Sequence, residues 1–252
     1  MSDSLFADAM LPRRAREVLP GVVHIPGWLT LEQQLFMVRE FQRIARDGIP
    51  VHSPEIYGRK MSVELTTLGW HWSNYRYMRE APEFKMDAVP PLPQWMVKAG
   101  RSALADVYRP EVAPGWPGLR GDELSGWAQD YTPDMALINY YSPQASMGMH
   151  QDKEERSSAP VVSLSIGDTA LFRAGNTEHR NKPYRDFRLA SGDLVVFGGP
   201  SRFMFHGVPR IEPGTMPYAT DFARVGLTEG RFNLTLRYTG LAPLEEAGLP
   251  LA

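Results

Sequence analysis

From residue 134 onward the chain falls into a succession of short strand-like segments, and no other feature restricts its fold as much. Segments 135–141, 161–166, 170–173, 193–197, 204–208 and 232–238 alternate or run apolar, and Gly, Pro, Asn and Asp separate them. Strands that follow one another without helical stretches between them argue against βαβ units and predict a sandwich or barrel. Helical spacing is confined to the first half. Thr30 can cap a helix with Gln33 reaching back to it, and Leu31, Leu35, Val38, Phe41, Ile44 and Ala45 follow near a helical period until Gly48. A second helix is predicted over 94–105, so two helices are expected to cover one face of the barrel. Residues 109–130 hold several Pro and Gly and little pattern, which predicts an inserted loop. A β-rich chain of 252 residues most simply makes one domain.

Composition narrows the chemistry. There is no cysteine, which excludes disulfides, thiolate zinc sites, a cysteine nucleophile and alkyl transfer to a thiol. Any metal must be held by His, Asp and Glu. The formal net charge of −2 supplies no general attraction to phosphate, although a local basic patch is compatible with it. No apolar run is long enough to cross a bilayer, and the opening MSDSLFADAM lacks a basic segment followed by an apolar one. A monomer of the cytoplasm, without membrane contact, is the expectation.

His150 and Asp152, in MHQDK, stand two residues apart, and on an extended chain both side chains leave one face. His206, in FMFHG, is the best candidate for a third ligand from a later strand. Two imidazoles and one carboxylate on one side of a metal leave three positions open, the arrangement of Fe(II) oxygenases. His-x-Asp also occurs by chance in proteins without a metal. The stretch RFNLTLR (231–237) alternates strictly: Arg231, Asn233, Thr235 and Arg237 share one face, and Phe232, Leu234, Leu236 and Tyr238 the other. Such a polar face is commonly exposed to solvent. Two guanidinium forks on one face also suit a dicarboxylate.

Six stretches together resemble the AlkB family of Fe(II)/2-oxoglutarate-dependent nucleic-acid dealkylating dioxygenases. They are LINYY (137–141), HQDK (150–153), APVVSLSIG (159–167), DLVVFGG (193–199), His206 with Gly207, and RFNLTLR, in the family's order. A weaker match, MSV (61–63) with Gly69, Trp70 and Tyr75 to Tyr77, lies upstream. The resemblance implies an α+β, mainly β fold: a double-stranded β-helix (jelly-roll) core over about 134–240, helices on one face, and a nucleotide-recognition lid over about 50–90. It implies iron on His150, Asp152 and His206, and 2-oxoglutarate on Asn139, Tyr141, Arg231, Asn233 and Arg237. Arg231 is expected at the distal carboxylate and Arg237 nearer the metal. Dioxygen is the remaining cosubstrate.

On the substrate side the resemblance implies that Trp70 stacks on the base, opposite the ring of His150. Tyr75 and Tyr77 match lid positions that touch the substrate backbone, and Arg180 matches a substrate-contacting arginine. Without the resemblance, core packing is the preferred reading of Trp70. Glu154 stands where the bacterial family has an aspartate that contacts the exocyclic amine of the base, which keeps the charge but shifts the carboxylate. Residues 109–130 and 213–230 also depart from the short bacterial pattern. The expected activity is oxidative removal of alkyl groups from bases such as 1-methyladenine and 3-methylcytosine in DNA or RNA. The alternatives are a dioxygenase of a small molecule or protein, and a non-catalytic jelly-roll binding module.

Overall fold

The computed structural model describes residues 13–107 and 130–241. In chain order the strands are β1 (Arg16–Leu19), β2 (Val22–Ile25), β3 (Glu55–Ile56), β4 (Arg59–Lys60), β5 (Glu64–Leu68), β6 (His71–Ser73), β7 (Arg76–Met78) and β8 (Met135–Tyr141). There follow β9 (Met147–His150), β10 (Val161–Gly167), β11 (Thr169–Ala174), β12 (Arg185–Leu189), β13 (Leu194–Phe197), β14 (His206–Glu212) and β15 (Arg231–Arg237). The helices are α1 (Leu31–Asp47), α2 (Gln94–Val107) and α3 (Ala219–Arg224). A seven-stranded sheet, β1-β2-β13-β10-β15-β8-β5, faces a four-stranded one, β12-β11-β14-β9. Two hairpins, β3–β4 and β6–β7, stand apart from both sheets. This is the mainly β, jelly-roll architecture with helices alongside.

Two apolar layers explain the arrangement. Val38 and Phe41 of α1 and Met96 and Leu104 of α2 pack with Leu164, Leu234 and Leu236 on the outer face of the large sheet. Val161, Phe172, Phe187, Val195 and Ile211 fill the space between the sheets. Helix α1 begins with the expected capping box, Thr30 and Gln33 each satisfying the other's backbone. Its neighbour α2 starts at the expected Gln94 and runs two residues further than predicted.

The predicted strands are present with small shifts, and one moves more. The segment expected at 204–208 is β14, which starts at His206 and continues through Pro209 to Glu212. A proline ordinarily interrupts a ladder. Here it falls where the pairing with β11 slips, between Leu171 and Arg173, so a bulge accommodates it. Residues 213–230 are packed chain with their own short helix. Phe222 of α3 is buried, Gln42 of α1 donates to the Val225 carbonyl, and the Asp168 carboxylate accepts from the backbone of Thr215, Met216 and Gly230. The loop expected at 109–130 lies outside the described residues apart from its last member.

Candidate active site

β9 and β14 are antiparallel neighbours, and their register sets His206 opposite His150. Their close approach depends on Gly207: a Cβ there would meet the Met147 carbonyl oxygen at 2.7 Å. The imidazoles lie 4.4 Å apart between centroids, and Asp152 completes the group just past the end of β9. One ligand atom from each of His150, Asp152 and His206 falls within 4.8 Å of the others. Nδ1 of His150 donates to the Gly148 carbonyl at 2.9 Å and Nδ1 of His206 to the Met204 carbonyl at 3.2 Å. A carbonyl can only accept, so these bonds place the ring protons on Nδ1 and leave both Nε2 lone pairs facing Asp152. Burial, and next the neighbouring His150, push the His206 pKa down to about 4, so the ring is neutral at ordinary pH and able to ligate.

Asp152 is buried, which raises its pKa, but Arg237 and the two histidines outweigh burial and hold the carboxyl well below the usual range. Nη2 of Arg237 approaches Oδ2 of Asp152 to 2.7 Å, a close ion contact not aligned as a hydrogen bond. Nη1 of Arg237 donates to Glu155 at 3.0 Å and to the Tyr77 hydroxyl at 2.9 Å. The other oxygen of Glu155 accepts from Arg202, which is fully buried and also holds the carbonyls of Asp152 and Ala159. The metal aspartate is therefore fixed through its backbone by Arg202 and faced at its carboxylate by Arg237. Glu155 and Arg202 do not emerge from the sequence, because they lie 47 positions apart with no periodic signal and only the fold brings them together.

The polar face of β15 points inward, not to solvent. Arg231, Asn233, Thr235 and Arg237 line a narrow cleft between the sheets with Asn139, Tyr141 and the triad. Asn233 spends its amide on Ser163 and the Leu164 carbonyl, and Thr235 donates to its oxygen. Arg231 donates to Ser165 at 2.9 Å and more weakly to the Leu189 carbonyl; burial lowers its pKa to about 10, which leaves it a cation. Burial raises the Tyr141 phenol to about 12, so it remains a donor. Four buried atoms in this cleft have no hydrogen-bond partner among the described residues: Asn139 Oδ1, Asp152 Oδ2, Arg231 Nε and Arg237 Nε. Unsatisfied buried donors and acceptors are rare in native proteins. An anionic group and a metal in the cleft would satisfy both kinds.

A second cavity of about 230 Å³ opens from the same point, sharing His150, Asp152, Asn139 and Arg237 with the cleft. Its walls include Ile56, Met61, Trp72, Tyr75 and Met149, with Glu154 as a further carboxylate. Burial raises the Glu154 pKa.

The family model described as the 2OG-Fe(II) oxygenase superfamily matches residues 21–237. An alpha-ketoglutarate-dependent dioxygenase AlkB homolog of Caulobacter vibrioides is 34% identical over 230 residues, covering 87% of this chain and 88% of that protein. The alpha-ketoglutarate-dependent dioxygenase AlkB of Escherichia coli is 34% identical over 189 residues, 73% of this chain and 74% of its own. The chain belongs to the AlkB family of 2OG-Fe(II) oxygenases. A solved structure of OsALKBH1 superimposes with a TM-score of 0.74 at 30% identity, covering 89% of this chain and 99% of that one. The triad is thus the metal-binding site of a 2OG-Fe(II) dioxygenase.

Within this AlkB chain the substrate-side residues divide. Tyr75 and Glu154 line the open cavity. Trp70 does not, and its assignment as the stacking ring is corrected. Gly69 (φ +76°) turns the chain so tightly that a Cβ would strike the Asp134 carbonyl, and the turn directs Trp70 into a cluster with Leu65, Met135 and Leu137. Its Nε1 donates to Asp134 at 3.2 Å, and the Arg79 guanidinium covers the ring at 3.8 Å. Trp72, two residues on, is the tryptophan that lines the cavity. Tyr77 lines neither cavity, and its hydroxyl turns inward to Glu155 and Arg237. Arg180 is exposed over the Phe205 ring and lines neither cavity. Its loop is tied to the site by Gln151, whose amide donates to the carbonyls of Thr177 and Phe203.

Proposed function

We infer that this AlkB-family chain oxidatively removes alkyl groups from nitrogen atoms of nucleic-acid bases, with Fe(II), 2-oxoglutarate and dioxygen as its reactants. The observation that carries this reading is the junction at His150 and Asp152, where a polar cleft with two buried arginines meets an aromatic-walled cavity. One compartment suits a small dicarboxylate and the other a flat base. The names of relatives support the same class: a 31% identical Arabidopsis thaliana protein, about half of whose length is covered, is a DNA N(6)-methyladenine demethylase.

His150, Asp152 and His206 would hold the iron. Arg231, with Asn139 and Tyr141, would take the distal carboxylate of 2-oxoglutarate, while Arg237, beside Asp152, stands at the metal end of the same strand. When bound, iron with 2-oxoglutarate and dioxygen supplies the oxidising chemistry that hydroxylates an N-alkyl carbon, after which the carbon leaves as an aldehyde. The chain's own residues position and exclude. Trp72 and Tyr75 offer faces to an unpaired base, and stacking of this kind contributes about 1–3 kcal/mol per base. A base inside a duplex cannot reach the triad, so it must be single-stranded or flipped out. Glu154 adds negative charge where a cationic methylated base would lie.

Formaldehyde release from single-stranded oligonucleotides carrying 1-methyladenine or 3-methylcytosine, with and without 2-oxoglutarate, tests the reading. Release that needs both Fe(II) and 2-oxoglutarate is expected. 2-Oxoglutarate turnover that no methylated oligonucleotide stimulates would overturn it.

A further inference from the structure

On the far side of the four-stranded sheet, where β1 passes its edge, lies a groove of about 540 Å³ that the site above does not use. Arg13, Arg14, Arg16, Arg188 and Arg210 line it, with Asp186 as its one carboxylate. That carboxylate is held by Arg173 through two bonds of 2.8 and 2.7 Å. Asp193 neutralises Arg13, while Arg188 and Arg210 share Glu212. Arg14 and Arg16 have no carboxylate partner among the described residues. Six guanidiniums thus meet three carboxylates, a local excess of three positive charges on a chain whose formal net charge is −2. Leu171 gives the groove an apolar floor.

The groove is connected to the metal centre by strand register. Arg185 opposes Ala174, and Ala174 opposes His206, so the start of edge strand β12 is level with a metal ligand. Arg188 is three residues further along β12, about 10 Å at the rise of a strand. Alternation along β12 puts Arg188 on the outer face with Asp186, the face of the groove, while exposed Arg185 has the parity of Phe187 and marks the end of the strand nearer the active site. Guanidinium forks match phosphate oxygens in pairs, and contacts to phosphate position a nucleic acid without reading its sequence.

We propose that this groove holds the phosphodiester backbone of the nucleic-acid strand flanking the base under repair, as a second contact outside the active site. The proposal rests on the nucleic-acid reading given above. It makes affinity depend on strand length: a short strand fills only the active-site cavity, and a longer one also reaches the arginines.

The test compares the wild-type protein with Arg14→Gln/Arg188→Gln/Arg210→Gln on two single strands bearing one 1-methyladenine, about five and about twenty nucleotides long. Binding is measured over a range of salt concentrations and turnover by formaldehyde release. The variant should bind the long strand about tenfold or more weakly at low salt, and its slope of log affinity against log salt should fall by about 2. Turnover of the short strand and the melting temperature should stay unchanged. An unaltered salt slope on the long strand would overturn the groove, including the case in which it serves an acidic peptide instead. Equal weakening on both strands would overturn it too, since the arginines would then act through the fold. A wild-type protein that binds the long strand with the predicted slope but releases no formaldehyde from either strand would sink the demethylase reading and leave the groove standing.

Discussion

His150 and His206 sit on strands of a four-stranded sheet, whereas Trp72 and Tyr75 sit on a two-stranded hairpin that pairs with neither sheet. On the sheet side the ligand rings are tied to backbone carbonyls and the aspartate is enclosed by Arg202, Glu155 and Arg237. On the hairpin side Asn74 and Tyr75 carry positive φ, 47° and 61°, and Tyr75 is 43% exposed. A two-stranded hairpin is marginally stable by itself. Residues that must hold a metal are fixed by neighbours on several strands. Those that would meet a variable substrate stand at and beside the exposed turn of a hairpin whose base is anchored by His71 and Tyr77, so adjustment costs least at the turn.

The largest effect expected from testing this contrast is at the metal. Asp152→Ala should abolish formaldehyde release, because one of only three protein ligands is lost, while circular dichroism and the unfolding transition stay close to wild type. Near-normal turnover with added Fe(II) would show that the rigid end is not the metal end. The two tryptophans come next and should separate the regions cleanly. Trp70→Ala opens the cluster beneath the hairpin and should cost roughly 3–5 kcal/mol of stability in denaturant titration. Trp72→Ala, at the rim of that cluster, should cost less stability than Trp70→Ala and weaken substrate binding by about 1–3 kcal/mol. The opposite pattern would return Trp70 to the substrate.

Inside the cleft, Arg231→Ala removes a buried cation and should raise the 2-oxoglutarate requirement by roughly 1.5–3 kcal/mol, about tenfold to a hundredfold. A cosubstrate titration that superimposes on the wild type would place the keto acid elsewhere.

The smallest effect is a pH dependence of the hairpin. Burial raises the Glu83 pKa, but its hydrogen bond to buried His71 at the start of β6 and the nearby imidazoles outweigh this and hold it below 4.5. A carboxyl depressed in the folded state contributes stability that is complete above its unfolded value and fades as pH falls through the folded one. The pair is partly exposed, so its contribution is below about 1 kcal/mol. Tryptophan fluorescence should therefore report loosening of the hairpin as pH drops below about 4.5. Glu83→Gln should remove that step and leave the transition of the sheets unchanged.

The same division governs how much the sequence reveals. Strict alternation in RFNLTLR places four polar side chains on one face, and the cleft shows that face buried with the triad. The His-x-Asp pair is legible by its spacing, although β9 ends at His150 and Asp152 stands just past it. β14 is misplaced by the sequence because Pro209 suggests an end where a bulge lets the strand continue. Trp70 and Trp72 cannot be told apart by pattern, since a single turn at Gly69 decides which ring enters the cavity. Arg202 and Glu155 carry no local signal at all, because they meet only once β10 and β14 have paired into their sheets.

The two bonds from imidazole Nδ1 to carbonyls two residues earlier also bear on the life cycle of the centre. Each ring is held by a carbonyl two residues before it, so the backbone sets the tautomer and orientation that ligation needs. The expected outcome is that loading fills a socket the backbone has already shaped and that metal release does not oblige the chain to unfold. A chelated preparation should keep its melting cooperativity and regain activity on addition of Fe(II) as fast as the ion can diffuse in. Scarcity of iron would in that case idle the protein without destroying it, leaving a reserve that resumes work when the metal returns.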